Sequence, residues 1–178
     1  LKIWLADGTN YPGQGNMRSR QDWLADSLRK VYDRLGDDQR MVLEYKFFEP
    51  AFYHTDVPDW GTSYAHTLAL GEKALVCLDT GHHAPGTNIE FIVAQLLRLG
   101  KLGSFDFNSR FYADDDLIVG AADPFQLFRI LFEVVRGGGL GPHPSPTPAA
   151  AGGGSEGYGA GQVEDSKDQQ DVGDKVQP

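Results

Sequence analysis

The sequence predicts an α/β protein with a parallel sheet, because apolar strand-like segments alternate with amphipathic helices over the first 136 residues. Four such strand–helix units follow one another. The third strand, residues 74–78, is apolar throughout, which is typical of a strand whose sheet is covered on both faces. We therefore expect right-handed connections between neighbouring parallel strands.

Turn and capping signals divide this region into its elements. Ser19, with Asp22 three residues later, predicts the start of the first helix, and Thr87 with Glu90 forms a capping box for the third. Pro124 suits the first position of the last helix. The predicted strands cover residues 1–6, 41–45, 74–78 and 104–107, and the predicted helices cover residues 19–35, 63–70, 88–99 and 124–135.

The composition changes at Gly137, which marks the predicted end of a folded domain over residues 1–136. Residues 137–178 contain two glycine triplets, prolines at every second position from 142 to 148, and few large apolar side chains. Such a segment cannot bury enough surface to offset the entropy of ordering it, so we expect a disordered tail. Two interpretations of the tail stay open, a linker or interaction segment and a foreign end without function.

Charge and cysteine content exclude several classes of protein. The net charge of −9 argues against a nucleic-acid partner, which normally binds a basic surface. Cys77 is the only cysteine, so a disulfide framework is excluded, and we expect a reducing, cytoplasmic location. No apolar run approaches the ~18 residues of a membrane span, and the sequence predicts no signal peptide. Because the chain begins inside that strand, we expect it to be part of a longer protein.

Polar side chains gather at the predicted carboxyl ends of the strands, where parallel α/β proteins place their sites. They are Glu44, Lys46, Asp79, His82, Asp106, Asp114 and Asp116. Carboxylates favour hard divalent cations, and a histidine shifts the preference towards Mn²⁺, Co²⁺ or Zn²⁺. Each of these residues, taken alone, also fits a helix cap, a solvated turn or a surface carboxylate. Their spacing therefore favours neither a metal site nor ordinary surface residues.

Four segments of the chain resemble L-rhamnose isomerase, in the order found in that family. They are KIWLADGTNYPGQ (2–14), LEYKFFEP (43–50), LDTGHH (78–83) and FNSRFYADDD (107–116). The resemblance covers residues 1–136 and is to the broad-specificity bacterial subfamily, which is related to xylose isomerase. It implies a (β/α)8 TIM barrel, a homotetramer and two divalent ions, commonly Mn²⁺, with Co²⁺, Mg²⁺ or Zn²⁺ as alternatives. The implied reaction interconverts L-rhamnose and L-rhamnulose, and some members accept other aldoses.

The resemblance also implies the metal ligands. Glu44 and Asp79 would bind a structural ion, and Asp79 would bridge to a second ion. His82, Asp114 and Asp116 would complete the site of this second ion, which acts on the substrate. His82 and Asp114 are therefore expected to be catalytic residues as well as ligands.

Three further residues acquire expected roles from the resemblance. Lys46 would act catalytically by polarising the substrate oxygen near the reacting carbons, and Trp4 would line the sugar pocket. Asp106 stands where the family has a histidine, and we expect its carboxylate to bind the structural ion in place of that side chain.

The chain also departs from the family pattern. The last metal-binding aspartate has no counterpart before the tail, and several early strands of a barrel of ~250 residues are absent. We therefore expect an incomplete or inactive fragment that folds poorly, or folds only with a partner fragment. The alternatives are a non-catalytic protein that binds metal or a partner and, among enzymes, a sugar epimerase or a metal-dependent phosphodiesterase on a related barrel. An epimerase is less favoured, because it would pair two glutamates at strand ends and only Glu44 lies at such a place.

Overall fold

A four-stranded parallel sheet forms the centre of the protein, as expected from the sequence. The computed structural model describes residues 1–5, 13–47, 55–112 and 115–139. The strands, in the order in which they lie side by side, are β1 (Lys2–Ile3), β2 (Met41–Glu44), β3 (Ala74–Asp79) and β4 (Leu102–Asp106). Every neighbouring pair is parallel. The mixed α/β prediction is thus confirmed, and closure into a barrel stays a prediction.

Five helices occur within the described ranges. They are α1 (Met17–Tyr32), α2 (Trp60–Leu70), α3 (Ile89–Arg98), α4 (Val119–Ala122) and α5 (Pro124–Arg136). The short helix α4 was not expected from the sequence. None of the helices in these ranges has the length and apolar character that crossing a membrane requires. Apart from residues 137–139, the predicted tail lies outside the described residues.

Two of the predicted helix caps are wrong. Asn16, not Ser19, caps α1, because its side chain accepts hydrogen bonds from the backbone N–H groups of residues 18 and 19. Asn88, not Thr87, caps α3 by accepting from the backbone N–H of Phe91. Asparagine is a stronger N-cap than threonine, which accounts for Asn88. Asparagine and serine are about equal as caps, but α1 begins at Met17, so Ser19 lies inside the helix.

The sheet has two chemically different faces, because successive side chains along a strand point to opposite sides. One face packs against the helices, and its residues form the hydrophobic core together with Leu24 and Leu28 of α1. The strand residues on this core face include Ile3, Met41, Leu43, Ala74, Val76, Leu78, Leu102 and Phe105. The alternate residues point to the second face, and these include Lys2, Glu44, Cys77, Asp79 and Asp106.

The second face is concave. Lys2 on β1 forms an ion pair with Asp106 on β4, although three inter-strand spacings of a flat sheet would separate these strands by roughly 14 Å. A lysine and an aspartate side chain together are shorter than that separation. The sheet must therefore curve so that its polar face lies on the inside, as it does in a segment of a barrel.

Gly103 permits the close approach of strands on the concave face. It is the extra residue of β4 where the β3–β4 register shifts, since Val76 pairs with Leu102 and Cys77 pairs with Ser104. A Cβ atom added at Gly103 would lie 2.6 Å from Leu75 Cβ and 2.6 Å from Val42 Cγ1. Because neither of these atoms lies at the far end of a flexible side chain, the site cannot accept a methyl group without moving a strand.

A Gly103→Ala substitution is therefore expected to destabilise the protein. Overpacking of this kind costs about 1–3 kcal/mol in the free energy of unfolding, which urea denaturation can measure. Gly86→Ala is the matched control, because nothing lies within 4 Å of a Cβ added there. Equal stability of the two variants would contradict the close approach of β2, β3 and β4.

Candidate metal centre

Three ionisable side chains meet at the carboxyl end of the sheet. Glu44 is the last residue of β2, Asp79 is the last residue of β3, and His82 lies in the turn that follows β3. One candidate ligand atom from each residue lies within 4.8 Å of the other two. All three side chains are buried. The cluster arises because neighbouring parallel strands end at the same edge, which is what the sequence analysis expected of Glu44 and Asp79.

The imidazole of His82 has a defined orientation. Its Nδ1 lies 2.8 Å from the carbonyl oxygen of Tyr45, and a carbonyl can only accept, so Nδ1 carries the proton. The same nitrogen lies 3.3 Å from Glu44 Oε1, while Nε2 lies 3.5 Å from Asp79 Oδ2. In the neutral imidazole, Nε2 therefore presents its lone pair towards Asp79. Trp4 stacks on the ring, with 6.2 Å between centroids and an interplanar angle of 23°.

Two groups that the sequence analysis did not single out hold the Asp79 carboxylate. The backbone N–H of Gly81 donates to Oδ1 at 2.7 Å, and Asn108 Nδ2 donates to Oδ2 at 2.8 Å. A Cβ added at Gly81 would lie 2.9 Å from the Ser109 carbonyl oxygen, so the turn can pass this close only with glycine. Gly81 was visible as a turn residue beside Asp79, whereas Asn108 comes from the segment after β4 and no local pattern connects it with β3.

Burial makes the charged forms of the two carboxylates in the cluster less favourable. Desolvation raises the pKa of Glu44, although the nearby Lys2 and His82 oppose this rise. Desolvation also raises the pKa of Asp79, opposed by His82 and by the hydrogen bonds from Gly81 and Asn108. Charged carboxylates in a buried place are costly unless a cation accompanies them. The centre is therefore a place where a bound cation would be stabilised.

The donor set fits a divalent transition-metal ion. Ligand nitrogen and oxygen atoms lie about 2.0–2.2 Å from such an ion, so Nε2 of His82 and Oδ2 of Asp79, at 3.5 Å from each other, can share one ion. Two carboxylates with one imidazole suit Mn²⁺, Co²⁺ or Zn²⁺. The hydrogen bond from His82 Nδ1 to a backbone carbonyl is the usual support of a metal-binding histidine.

A second group of candidate ligands shares Glu44 with the first and adds Cys77 and Asp106. The predicted ligand Asp106 lies here, at the end of β4, where it is the register partner of Asp79. Its carboxylate contacts the ammonium group of Lys2, which also lies 2.7 Å from Glu44 Oε2. Lys2 carries no local sequence signal for this role, because nothing near it in the chain reveals partners on β2 and β4.

Lys46 is fully buried, two residues beyond Glu44, and its ammonium group lies 5.1 Å from the centroid of the Phe47 ring. Its backbone N–H donates to the carbonyl oxygen of Val57 at 3.1 Å, which fixes the chain where it leaves β2.

Of the two ligands predicted in the loop after β4, only Asp116 lies within the described residues. Asp116 is exposed, has a left-handed backbone conformation with φ of 53°, and belongs to neither group of candidate ligands found in the described ranges. Asp114 lies outside those ranges. Their roles as metal ligands stay predictions.

Fold and site together define a class, a parallel α/β protein with a buried carboxylate–imidazole centre at the carboxyl ends of its strands. Over 135 residues, or 76 % of this chain, the sequence is 50 % identical to a probable sugar isomerase of Rhizobium meliloti (strain 1021). Over the same length it is 45 % identical to a probable sugar isomerase of Mesorhizobium japonicum. The matched segment spans 31 % of each of these relatives. No family profile matches the chain.

Replacing Asn108, which donates a hydrogen bond to Asp79, should weaken metal binding. Loss of a group that orients a ligand typically costs 10–100-fold in metal affinity, so we expect about this loss of Mn²⁺ affinity in Asn108→Ala, measured by isothermal titration. The control is Asn16→Ala, which removes hydrogen bonds that Asn16 makes to the backbone of α1 and should lower stability alone. Unchanged Mn²⁺ affinity in Asn108→Ala would show that its hydrogen bond does not support a ligand.

The single cysteine offers a test of the packing beside the centre. Cys77 is fully buried on β3, and burial raises the pKa of its thiol to about 11. Because the thiolate is the reactive form, we expect modification by a thiol reagent near pH 8 to be about tenfold or more slower in the native protein than in urea. Equal rates in both conditions would mean that β3 is open to solvent.

Proposed function

We propose that the protein is a metal-dependent aldose–ketose isomerase that acts on L-rhamnose and L-rhamnulose. The observation that carries the proposal is the buried cluster of Glu44, Asp79 and His82 at adjoining strand ends. The similarity to two probable sugar isomerases supports the reaction class. L-rhamnose as the substrate and Mn²⁺ as the ion rest on the resemblance of the four segments given above.

The reaction requires a hydrogen to move between neighbouring carbons. In the aldose-to-ketose direction, the hydrogen on C2 moves as a hydride to C1, and the proton of the C2 hydroxyl passes to O1. Substrate and product are isomers, so no external oxidant or reductant is consumed. A divalent ion, when bound, would supply Lewis-acid polarisation of the carbonyl oxygen of the open-chain sugar.

The residues of this chain would hold and orient the reactants. Glu44, Asp79 and His82 would provide the oxygen and nitrogen ligands of the ion. The buried ammonium group of Lys46 would stabilise negative charge that develops on a sugar oxygen, since a charge preorganised away from water acts strongly. Trp4, stacked on His82, would offer an apolar wall to the C–H groups of the sugar.

A non-catalytic protein that binds metal is the second candidate. The contact of Lys2 with Glu44 and Asp106 favours this candidate. In a sugar isomerase of the expected kind, both carboxylates would bind a metal ion instead of a lysine. The chain also spans less than a third of the length of the two relatives it matches, so the activity of a whole isomerase is a proposal for this chain.

The decisive test is L-rhamnulose formation from L-rhamnose with added Mn²⁺, comparing the wild type with Asp79→Asn. Removal of a ligand should cost at least as much as removal of its support, so we expect a loss of about 100-fold or more in kcat/KM. Asp37→Asn is the matched control, because that side chain is fully exposed and pairs only with Lys73 among the described residues.

Three results can be distinguished in this test. Turnover that only Asp79→Asn abolishes supports the isomerase. Turnover unaffected by Asp79→Asn would contradict the proposed centre. Binding of Mn²⁺ without turnover of any aldose, in protein whose circular dichroism shows a folded α/β chain, would favour the second candidate.

A further inference from the structure

We infer that Lys2 is a built-in cation of the acidic group formed by Glu44 and Asp106, so that the protein binds one exchangeable divalent ion instead of two. The inference rests on the proposed function for the first ion, held by Glu44, Asp79 and His82. It differs from the two-ion expectation of the sequence analysis, because it makes Asp106 the partner of a lysine.

The two oxygens of the Glu44 carboxylate have different partners. Oε2 lies 2.7 Å from the ammonium nitrogen of Lys2, whereas Oε1 lies 3.3 Å from Nδ1 of His82. One carboxylate thus faces two positions, one on the His82 side and one on the Asp106 side. The ammonium group fills the second position and bridges Glu44 to Asp106.

A divalent ion cannot bind the same oxygens while the ammonium is there. It would need the Oε2 of Glu44 and the Oδ2 of Asp106, the two atoms that the ammonium contacts. The two cations would then lie within a few ångströms of each other, where like charges repel strongly outside bulk water. The third candidate donor of this group, Cys77, is a fully buried thiol on β3.

The position of Lys2 is set by the sheet and not only by its side chain. Lys2 pairs with Val42 in the parallel register of β1 and β2, and the backbone N–H of Val42 donates to the carbonyl oxygen of Leu1 at 2.9 Å. Strand alternation then directs the Lys2 side chain to the concave face, where Glu44 and Asp106 lie.

Metal stoichiometry tests the inference without using activity. The purified protein is saturated with Mn²⁺, and the ions bound per chain are counted by isothermal titration and by elemental analysis after gel filtration. We expect one Mn²⁺ per chain in the wild type and a second in Lys2→Met, whose unbranched side chain keeps the apolar stem but removes the charge. Lys73→Met, which removes a lysine paired with the exposed Asp37, should stay at one.

Electron paramagnetic resonance adds an independent readout. The wild type should give the signal of isolated Mn²⁺, and Lys2→Met should give the signal of a coupled pair. Asp106→Asn covers the case in which Lys2→Met does not fold. We expect it to bind one Mn²⁺ with unchanged affinity, because Asp106 is not a ligand under this inference.

Two Mn²⁺ ions per wild-type chain, or a loss of about tenfold or more in Mn²⁺ affinity in Asp106→Asn, would overturn the inference and leave the isomerase proposal standing. One Mn²⁺ per wild-type chain and two in Lys2→Met, without turnover of any aldose, would overturn the isomerase proposal and support the inference. The two failures are therefore separable.

Discussion

The close approach of three carboxylates, two of them buried, is the constraint on which the rest of this structure depends. Glu44, Asp79 and Asp106 close three adjoining parallel strands, and the sheet curves so that all three point to its inner face. Negative charges held this close must be matched by positive charge or by donated hydrogen bonds. Lys2, His82 and the amides around Asp79 provide that match.

The separation of the two faces of the sheet follows from the period of two along each strand. Leu43 and Val76 pack against the helices, while Glu44 and Cys77, one residue further along, face the concave side. A shift of one residue in the register would bury the charges in the hydrophobic core and expose the core residues. The apolar layer therefore fixes the chemistry of the polar layer, because the register that gives the best core also brings the ligand atoms together.

Much of this arrangement could be predicted from the sequence, because it follows from patterns of residues that are close together in the chain. The strands and most helix ends follow from apolar runs and turn residues, and the meeting of Glu44 with Asp79 follows from the parallel order of the strands. The prediction of the capping residue was wrong for α3, where two possible caps, Thr87 and Asn88, are adjacent. Lys2 could not be found this way, because its partner on β4 is 104 residues distant in sequence. For the same reason, the support of Asp79 by a residue beyond β4 could be seen only after folding.

The bridge from β1 to β4 has a consequence for how the sheet tolerates withdrawal of metal. A chelator can strip a divalent ion from a protein, but it cannot extract a side chain that is covalently part of β1. If Lys2 is the built-in cation inferred above, its contact with Asp106 joins the first and last strands of the described sheet without a metal ion. The curvature of the sheet would then not depend on the supply of divalent metal. Only the His82 side of the concave face would gain or lose an ion as the metal concentration changes.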